Sequence, residues 1–276
     1  MATTVIVNGE QTEQISVFDR GLAYGDGIFE TILCVNRRLL LWQQHLQRLD
    51  GALVRLQIQP YDSSLLQPLI QPYLNTSTEQ VVKIIVTRGV SQRGYAIPES
   101  ATPNTVIFIS DRNKSDNDWS TQGIKAQFCE TRLGYQTKLA GLKHLNRLEQ
   151  ILAQQELAQT DCQEGIMLGQ QGEVIDATMH NLFLVKNGEL FTPDLTNCGV
   201  AGIMRTFITE YAHQQEIPVH ISRIEVEQLM QADEIFLTNS INGIWPICEL
   251  GGTRLAIGEV TCLLKDKVVE LIHSHD

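Results

Sequence analysis

The fold is decided by one stretch of sequence, LAGLKHLNRLEQ, which spans Leu139–Gln150. Its lysine, Lys143, follows a short turn that contains a glycine. A helical pattern then runs from Asn146 to about residue 157, with apolar residues at positions 145, 148, 151, 152 and 153. Because this is helical spacing, we expect a helix that buries an apolar face, with Lys143 at its entrance.

Two interpretations of Lys143 follow from its chemistry. Desolvation and nearby cations lower the pKa of a lysine, and the free amine can then attack a carbonyl group. On this interpretation Lys143 forms a Schiff base with an aldehyde cofactor. The alternative is a surface lysine beside the start of a helix, and this window alone favours that alternative. The rest of the chain has to decide between them.

Composition limits the class of protein. The chain has 276 residues, enough for one or two domains, and 43% of them are hydrophobic. No apolar run reaches the ~18 residues of a membrane span. The N-terminal residues lack the basic region and the long apolar core of a signal peptide. We therefore expect a cytoplasmic protein without a membrane segment.

Cysteine spacing and charge narrow the class further. No two of the six cysteines are spaced as CxxC, so the sequence suggests neither a metal site nor a redox pair. The formal net charge is −11 without a basic stripe, so nucleic acid is not an expected partner. An anionic substrate would need specific arginines that create a local positive pocket against this overall field.

Alternating patterns predict a mixed α/β fold. In the first part of the chain we expect five strands and two helices. The first strand lies in Val5–Glu10 and runs into an Asn-Gly turn, and further strands are expected at Gln14–Val17, Phe29–Cys34, Gln80–Thr87 and Thr105–Ser110. The helices are expected at Trp42–Gln57 and Leu65–Leu74. The polar segment Asp111–Asp118 has no periodicity and is the expected linker. It divides the chain into domains at 1–115 and 116–276.

The second part of the chain repeats this mixture. We expect strands at Ile124–Cys129, Gly165–Gly169, Glu173–Asp176, His180–Val185, Glu189–Thr192 and Asp233–Ser240. Besides the helix after Lys143, helices are expected after the turn Cys198–Arg205, to about residue 214, and at Gly258–His273.

Four further segments carry residue types suited to ligand binding. They are the glycine-rich loop Asp19–Thr31, the pair His45 and Arg48 one helical turn apart, the arginine-bearing loop Arg88–Tyr95, and the turn Cys198–Arg205. The last opens a helix, whose free N–H groups and positive dipole end suit a phosphate. Taken alone, each segment also has an ordinary structural interpretation.

In this combination and order, the segments resemble the class IV aminotransferase family, the fold-type IV enzymes that use pyridoxal 5'-phosphate (PLP). The resemblance runs from about residue 5 to residue 248 and includes Lys143–Glu149, His180–Phe183 and Gly202–Arg205. It implies an α/β (α+β) fold of two domains, with the PLP lysine and a barrel-like sheet in the C-terminal domain. It also implies a homodimer that acts on a small-molecule substrate.

The resemblance gives roles to individual residues. Lys143 matches the lysine that binds PLP as a Schiff base and later moves protons. Arg48 matches the arginine that binds the PLP phosphate, and a bidentate, permanently charged head suits a dianion. Further phosphate contacts are implied for two backbone N–H groups and a short polar segment, namely Ile203, Met204, Asn239 and Ser240. Arg93 lies in the loop that this family uses to recognise a substrate carboxylate, and Phe29 and Tyr95 are further expected substrate contacts.

One position departs from the family's pattern. The family places a glutamate against the pyridine nitrogen, and here that residue is Asp176. A carboxylate at this position keeps the nitrogen protonated, which makes the ring an electron sink. Aspartate is shorter by one methylene group, so the strand must lie closer to the ring or a water must intervene. Glu173 is not an expected replacement, because its odd offset along a strand directs it to the opposite face.

The Leu139–Gln150 segment points, within the family, to a lyase. The implied reaction converts 4-amino-4-deoxychorismate into 4-aminobenzoate and pyruvate for folate synthesis. An alternative on the same scaffold is a transaminase that acts on D-amino acids or branched-chain amino acids. A third hypothesis is a PLP-binding protein without turnover. Residue spacing alone does not separate these three functions.

Overall fold

The structure, a computed structural model, describes residues 3–58, 60–113 and 118–274. Contacts divide the chain into two units, the first of Met1–Lys114 with Lys143–Asn146 and the second of Ser115–Leu142 with Arg147–Asp276. The expected domain boundary between residues 115 and 116 lies outside the described residues. The sequence division placed Lys143 in the C-terminal domain, whereas the contacts of its segment belong to the first unit.

The first unit is built on a six-stranded antiparallel sheet. Its elements are β1 (Thr4–Val7), β2 (Glu10–Gln11), α1 (Arg20–Tyr24), β3 (Gly27–Val35), β4 (Arg38–Leu39), α2 (Trp42–Leu56), α3 (Leu66–Ile70), β5 (Gln80–Thr87) and β6 (Asn104–Asp111). The strand order is β2-β1-β6-β5-β3-β4. The β-branched run that predicted a buried strand is β5, which pairs with β3 and β6 along its whole length.

Helix α2 covers this sheet. It packs against β3 and buries Leu49, Ala52 and Leu53, which belong to its apolar stripe. Burial of this stripe in a continuous core is what holds the helix, because isolated helices of this length are marginal in water. The helix expected at Trp42–Gln57 is therefore confirmed.

Two expectations for the first unit are wrong. No strand forms at Gln14–Val17, because β1 has only four residues and its hairpin with β2 ends at Gln11. Val17 is 72% exposed. The helix expected at Leu65–Leu74 is shortened to α3 between two 3-10 turns, and prolines at positions 68 and 72 remove the N–H donors that a continuous helix needs.

The second unit is built on a nine-stranded mixed sheet. Its elements are α4 (Trp119–Gln122), β7 (Ile124–Leu133), α5 (Leu148–Leu157), β8 (Glu164–Gly169), β9 (Val174–Ala177), β10 (Asn181–Lys186), β11 (Glu189–Pro193), α6 (Ile203–Gln214), β12 (Val219–Ser222), α7 (Val226–Met230), β13 (Glu234–Asn239), β14 (Gly243–Leu250), β15 (Thr253–Arg254) and α8 (Glu259–His273). The order is β12-β11-β10-β13-β14-β7-β8-β9, with β15 on β14. The sheet curls into a half barrel, so the expected α/β fold with a barrel-like second sheet is confirmed.

Apolar side chains from both central hairpins fill the core of the second unit. Phe183 on β10 and Phe236 on β13 are fully buried and stack with their ring centroids 5.1 Å apart. The strand β14 was not expected from the sequence, although it runs through the middle of the sheet between β13 and β7. Among the described residues, no helix combines the length and apolar character that crossing a membrane requires.

Helix α5, which follows the Lys143 segment, differs from the expectation in its packing. A helix forms, but its residues Leu148, Ile151 and Leu152 are 72%, 51% and 50% exposed. Only Ala153 and Leu157 are buried. The expected helix is therefore confirmed, but most of the apolar face that it was expected to bury is exposed, and the placement of Lys143 needs another cause.

Candidate active site

Backbone pairing with β3 places Lys143. The backbone N–H of Phe29 donates to the Lys143 carbonyl at 2.9 Å, and the N–H of Leu145 donates to the carbonyl of Gly27 at 3.0 Å. The Asn146 side chain then donates to the Gly25 carbonyl at 3.1 Å. Gly25 has a φ of +66°, and a Cβ there would lie 2.5 Å from Asn146 Oδ1. The segment is thus fixed to β3 within the first unit, through an isolated bridge between Ile28 and His144.

The aromatic ring of Phe29 lies beside two lysines. Lys143 Nζ is 4.3 Å from the ring centroid, and Lys83 Nζ is 5.2 Å from the same centroid. Both distances are in the range of a cation–π interaction. Phe29 was an expected substrate contact, and the structure places its ring next to the expected reactive lysine. Lys83 was not singled out in the sequence.

Arg48 is held by a buried carboxylate. Its Nε and Nη2 donate to Glu30 at 2.8 and 2.5 Å, and His45 Nδ1 lies 2.7 Å from the same carboxylate. Glu30 and His45 are 3% and 1% exposed. Glu30 was not among the site residues expected from the sequence, although a carboxylate within an otherwise apolar strand indicates a buried partner. One edge of the Arg48 guanidinium is therefore turned to Glu30.

This cluster shifts the pKa of two of its members. Burial favours the neutral form of Glu30, but the Arg48 charge and the hydrogen bonds from His45 and Arg48 outweigh it and lower the pKa of Glu30 to about 2. Burial lowers the pKa of His45, although Glu30 opposes this. Glu30 is thus ionised at neutral pH, and a neutral His45 donates from Nδ1. Its Nε2 is buried without a hydrogen-bond partner among the described residues.

The loop that carries Arg93 and Tyr95 lies at a cleft of the first unit. Both side chains are exposed, and Tyr95 is 84% exposed. The cleft has a volume of about 1100 Å³, and its lining includes Arg93, Phe18, Tyr24 and Ile97. The lining is mostly apolar with one cation. The expected role of Arg93 and Tyr95 in substrate binding stays a prediction.

In the second unit, Asp176 lies on β9 and is 6% exposed. Its Oδ1 accepts a hydrogen bond from Asn181 Nδ2 at 2.7 Å, and its Oδ2 accepts one from the Val200 backbone at 3.1 Å. These two hydrogen bonds fix the orientation of the carboxylate. Glu173 is engaged elsewhere, where it accepts from the Tyr135 hydroxyl.

The segment that leads into α6 contacts Asp176, because the Val200 N–H donates to its carboxylate. Gly202 is the N-cap of α6, and a Cβ on it would lie 1.9 Å from Asn181 Oδ1, so the close approach requires glycine. Ile203 and Met204 are the first residues of the helix, and the N–H groups of a first turn have no partner within their helix. Their predicted phosphate contact is compatible with this position and stays a prediction.

Two arginines near Asp176 were missed in the sequence. Burial lowers the pKa of both Arg147 and Arg205, and the Asp176 charge opposes the shift in each. Arg205 also donates to the Thr192 hydroxyl at 3.0 Å, which ties α6 to β11. Both arginines were visible only as parts of quoted motifs, because it is the fold that brings the start of α5 and the first turn of α6 close to Asp176 on β9.

Asn239 closes the turn after β13. Its Oδ1 accepts from the backbone N–H groups of Ile241 and Asn242 at 2.9 and 2.7 Å, and its Nδ2 donates to the Met179 carbonyl at 3.3 Å. Ser240 lies within this turn. The side chain of Asn239 thus shapes the turn, and the predicted phosphate contacts of these two residues remain predictions.

A buried pair supports the same turn. Asn242 Nδ2 lies 3.2 Å from His180 Nε2, and His180 Nδ1 lies 2.6 Å from Glu164 Oε2. The side chains of His180 and Glu164 are fully buried. Burial raises the pKa of Glu164, but hydrogen bonds and the His180 charge outweigh it and lower the pKa. This pair gave no signal in the sequence, since its members lie 16 residues apart.

Taken separately, the two units carry groups that match the parts of PLP. The first carries the amine of Lys143 for an aldehyde and the guanidinium of Arg48 for a phosphate. The second carries the carboxylate of Asp176 for a pyridine nitrogen and the first N–H groups of α6 for a phosphate. The residues present therefore fit this cofactor. Among the described residues, no group of three or more His, Cys, Asp or Glu could hold a metal ion.

Known proteins resemble the chain over most of its length. The Amino-transferase class IV family matches residues 27–250. An aminodeoxychorismate lyase from Vibrio harveyi is 36% identical over 244 residues, which cover 87% of this chain and 89% of that protein. A putative branched-chain-amino-acid aminotransferase from Methanocaldococcus jannaschii is 29% identical and covers 95% and 92%.

A solved structure agrees with these matches. The crystal structure of 4-amino-4-deoxychorismate lyase from Pseudomonas aeruginosa superposes with a TM-score of 0.92 at 41% identity, and the match covers 96% of this chain and 98% of that one. The family match, the relatives and the structural likeness thus each extend over most of the chain. The chain belongs to the amino-transferase class IV family.

Proposed function

We propose that this protein is a PLP-dependent lyase that converts 4-amino-4-deoxychorismate into 4-aminobenzoate and pyruvate, a reaction that supplies folate synthesis. One observation carries the proposal. The P. aeruginosa enzyme of that name is 41% identical to the chain and covers 96% of it with a TM-score of 0.92. The V. harveyi relative, at 36% identity, has the same stated activity.

In the first unit, Lys143, Arg48 and Arg93 have proposed roles. The amine of Lys143 binds PLP and afterwards moves a proton at Nζ, from the substrate carbon that bears nitrogen. Arg48 binds the phosphate through the guanidinium edge that faces away from Glu30, which holds the other edge at 2.5 and 2.8 Å. Arg93 binds a substrate carboxylate, and Phe29 and Tyr95 contact the substrate.

The second unit supplies the carboxylate and further phosphate donors. Asp176 keeps the pyridine nitrogen protonated, and its orientation is fixed by Asn181 and Val200. Ile203 and Met204 donate backbone N–H groups to the phosphate, and the turn at Asn239 and Ser240 adds donors. When bound, PLP supplies an electron sink that amino-acid side chains lack.

The atoms of the substrate are fully accounted for by the two products, so no second substrate is needed. Removal of the proton by Lys143 is followed by cleavage of the C–O bond to the enolpyruvyl group. That group takes up a proton and leaves as pyruvate, and the remaining ring becomes the aromatic 4-aminobenzoate. Aromatisation makes the step effectively irreversible. No keto acid is consumed, which separates this reaction from transamination.

A transaminase is the second candidate. The M. jannaschii relative, which bears the name of a putative branched-chain-amino-acid aminotransferase, is 29% identical over 95% of the chain. Lys143 would remove the same kind of proton in either reaction. The two functions differ in whether a leaving group departs or a proton returns to the cofactor.

Product analysis tests the proposal. The purified protein is incubated with 4-amino-4-deoxychorismate, with and without 2-oxoglutarate, and pyruvate and 4-aminobenzoate are quantified. We expect equal amounts of both products and no effect of the keto acid. A requirement for the keto acid, or faster conversion of D-alanine or a branched-chain amino acid than release of pyruvate, would support the transaminase instead.

We also propose a homodimer and a cytoplasmic location, as the family resemblance suggests. Light scattering coupled to gel filtration tests the first. A mass of twice 31.0 kDa is expected, and a mass of 31.0 kDa would overturn it.

A further inference from the structure

Arg20 makes an unusual set of contacts with the loop that carries Arg93. It lies on α1 and is only 4% exposed. Its Nη1 is 3.0 Å from Ser91 Oγ, 3.1 Å from the Gly94 carbonyl and 3.3 Å from the Ala96 carbonyl. Its Nη2 is 3.3 Å from the Tyr95 carbonyl. One buried side chain thus contacts residue 91 and residues 94–96 of a loop that has neither helix nor strand.

Arg20 is itself held by a shared carboxylate. Its Nε donates to Asp26 at 2.8 Å, and Arg88 donates to the two oxygens of Asp26 at 2.7 and 3.0 Å. Arg88 also donates to the carbonyls of Leu56 and Gln57, both at 2.8 Å, at the end of α2. A chain of hydrogen bonds therefore connects the loop to the core helix of the first unit.

The charges in this chain persist at neutral pH. Burial would raise the pKa of Asp26, but the hydrogen bonds and charges of Arg88 and Arg20 outweigh it and lower the pKa. Each bond to the carboxylate is therefore charge-assisted, which makes it shorter and stronger than a neutral hydrogen bond. The arrangement resists small displacements of the loop.

We propose that Arg20 is a positioning residue for substrate recognition. By binding the Ser91 hydroxyl and the backbone carbonyls of residues 94–96, it fixes the direction in which Arg93 leaves the loop at the cleft. A loop that is already ordered loses less conformational freedom when a ligand binds, so the affinity for the substrate carboxylate rises. This inference rests on the proposed function, in which Arg93 binds that carboxylate.

Arginine is required at this position for a geometric reason. Its planar head offers five N–H donors in a fixed arrangement, so it can bind Asp26 on one side and the loop carbonyls on the other. A lysine has one nitrogen and cannot reach both. Tyr24 adds to the arrangement, because its hydroxyl accepts from the Gly94 N–H at 3.1 Å and its ring lies 5.0 Å from the Arg20 guanidinium carbon.

The test compares Arg20→Lys with wild type, using Arg254→Lys as the matched control, since Arg254 is exposed on β15. Amide hydrogen exchange of residues 91–96 is measured on the PLP-bound protein, together with kcat and KM for 4-amino-4-deoxychorismate. In Arg20→Lys we expect exchange in the loop to be faster by roughly tenfold or more. We expect KM to rise by about tenfold with kcat changed by less than about twofold, and PLP affinity to stay unchanged.

Tyr24→Phe is the second variant, in case Arg20→Lys does not fold. It removes only the hydroxyl that accepts from Gly94, so the same changes are expected at smaller size. Unchanged exchange in the loop, in whichever variant folds, overturns the positioning role. Faster exchange with an unchanged KM overturns the link to substrate. If the wild type releases no pyruvate, the proposed function fails, and the exchange measurement still decides whether Arg20 orders the loop.

Discussion

Glu30 in the first unit and Asp176 in the second are both buried carboxylates, 3% and 6% exposed, with different surroundings. Glu30 accepts two hydrogen bonds from Arg48 and lies against His45. Asp176 accepts from the amide of Asn181 and the backbone N–H of Val200. Glu30 fixes the direction of an arginine, whereas Asp176 has its own direction fixed by amides.

These different surroundings suggest different roles: Glu30 is a structural carboxylate, whereas Asp176 is a candidate functional group. The ion pair with Glu30 gives Arg48 an anionic partner within the protein, in addition to the PLP phosphate that we propose as its ligand. This pair orders the guanidinium of Arg48. Amides, in contrast, orient the carboxylate of Asp176, and the charges of Arg147 and Arg205 act on it as well. A carboxylate oriented in this way suits a group that must hold a proton on a ring nitrogen.

Removing Arg48 should produce the largest change. Arg48→Ala leaves Glu30 buried without its main counter-charge, and breaking a buried pair typically lowers the free energy of unfolding by about 3–5 kcal/mol. PLP affinity should also fall by roughly tenfold or more, because a charge-assisted contact is lost. Urea unfolding and fluorescence titration with PLP measure the two effects.

A double variant separates these two effects. Glu30→Gln in the Arg48→Ala background removes the unpaired charge, so most of the stability should return while PLP affinity stays low. Recovery of full PLP affinity in the double variant would show that Arg48 acts only on the fold. Arg254→Ala, at an exposed arginine on β15, serves as the control and should change neither quantity.

Protonation of Glu30 at acidic pH should lower the free energy of unfolding. The pKa of this carboxyl falls from an ordinary value of 4.5 to about 2 in the folded protein. A carboxyl group whose pKa is lower in the folded protein stabilises the fold at pH values above its pKa in the unfolded chain. The contribution of Glu30 to the free energy of unfolding is therefore complete above pH 4.5 and is lost as the pH falls towards 2. The shift corresponds to roughly 3 kcal/mol.

Unfolding by urea at a series of pH values measures this contribution. Wild type should lose more stability than Glu30→Gln between pH 4.5 and pH 3, because the variant has no carboxyl to protonate. Parallel curves for the two proteins would mean that Glu30 is not the group responsible.

Asp176→Asn should affect chemistry more than folding. Asparagine keeps the shape of the side chain but removes the charge, so the pyridine nitrogen would lose its proton and kcat should fall by about 10²-fold. PLP should remain bound. Asp176→Glu restores the family's residue and should keep kcat within roughly tenfold of wild type. Equal kcat values for wild type and Asp176→Asn in stopped-flow and steady-state assays would assign ring protonation to another group.

Two helices, α2 and α5, show which features of the fold the sequence predicts and which it does not. Both α2 and α5 have apolar residues at helical spacing, and both form. In α2 the stripe residues Leu49 and Leu53 are buried, whereas in α5 Leu148 and Leu152 are 72% and 50% exposed. Periodicity therefore predicts the helix, while burial depends on which surface the rest of the chain brings against it.

The candidate site shows the same limit. Individual motifs predicted Lys143, Arg48 and the start of α6, because each motif is local. Contacts between distant segments were not predicted: Glu30 meets Arg48 from 18 residues away, and Arg20 meets Gly94 from 74 residues away. Lys143 is placed by pairing with β3 rather than by a buried helix, and no local pattern records that pairing.

The most direct test of the account is to identify the lysine that carries PLP. The purified protein is reduced with borohydride, digested, and mapped by mass spectrometry. We predict that the modified peptide contains Lys143 and that Lys143→Ala yields no adduct and no turnover. Lys83 is the most informative competitor, because its Nζ lies 5.2 Å from the centroid of the Phe29 ring that Lys143 also contacts. An adduct on Lys83 or Lys138, with Lys143 unmodified, would contradict the account.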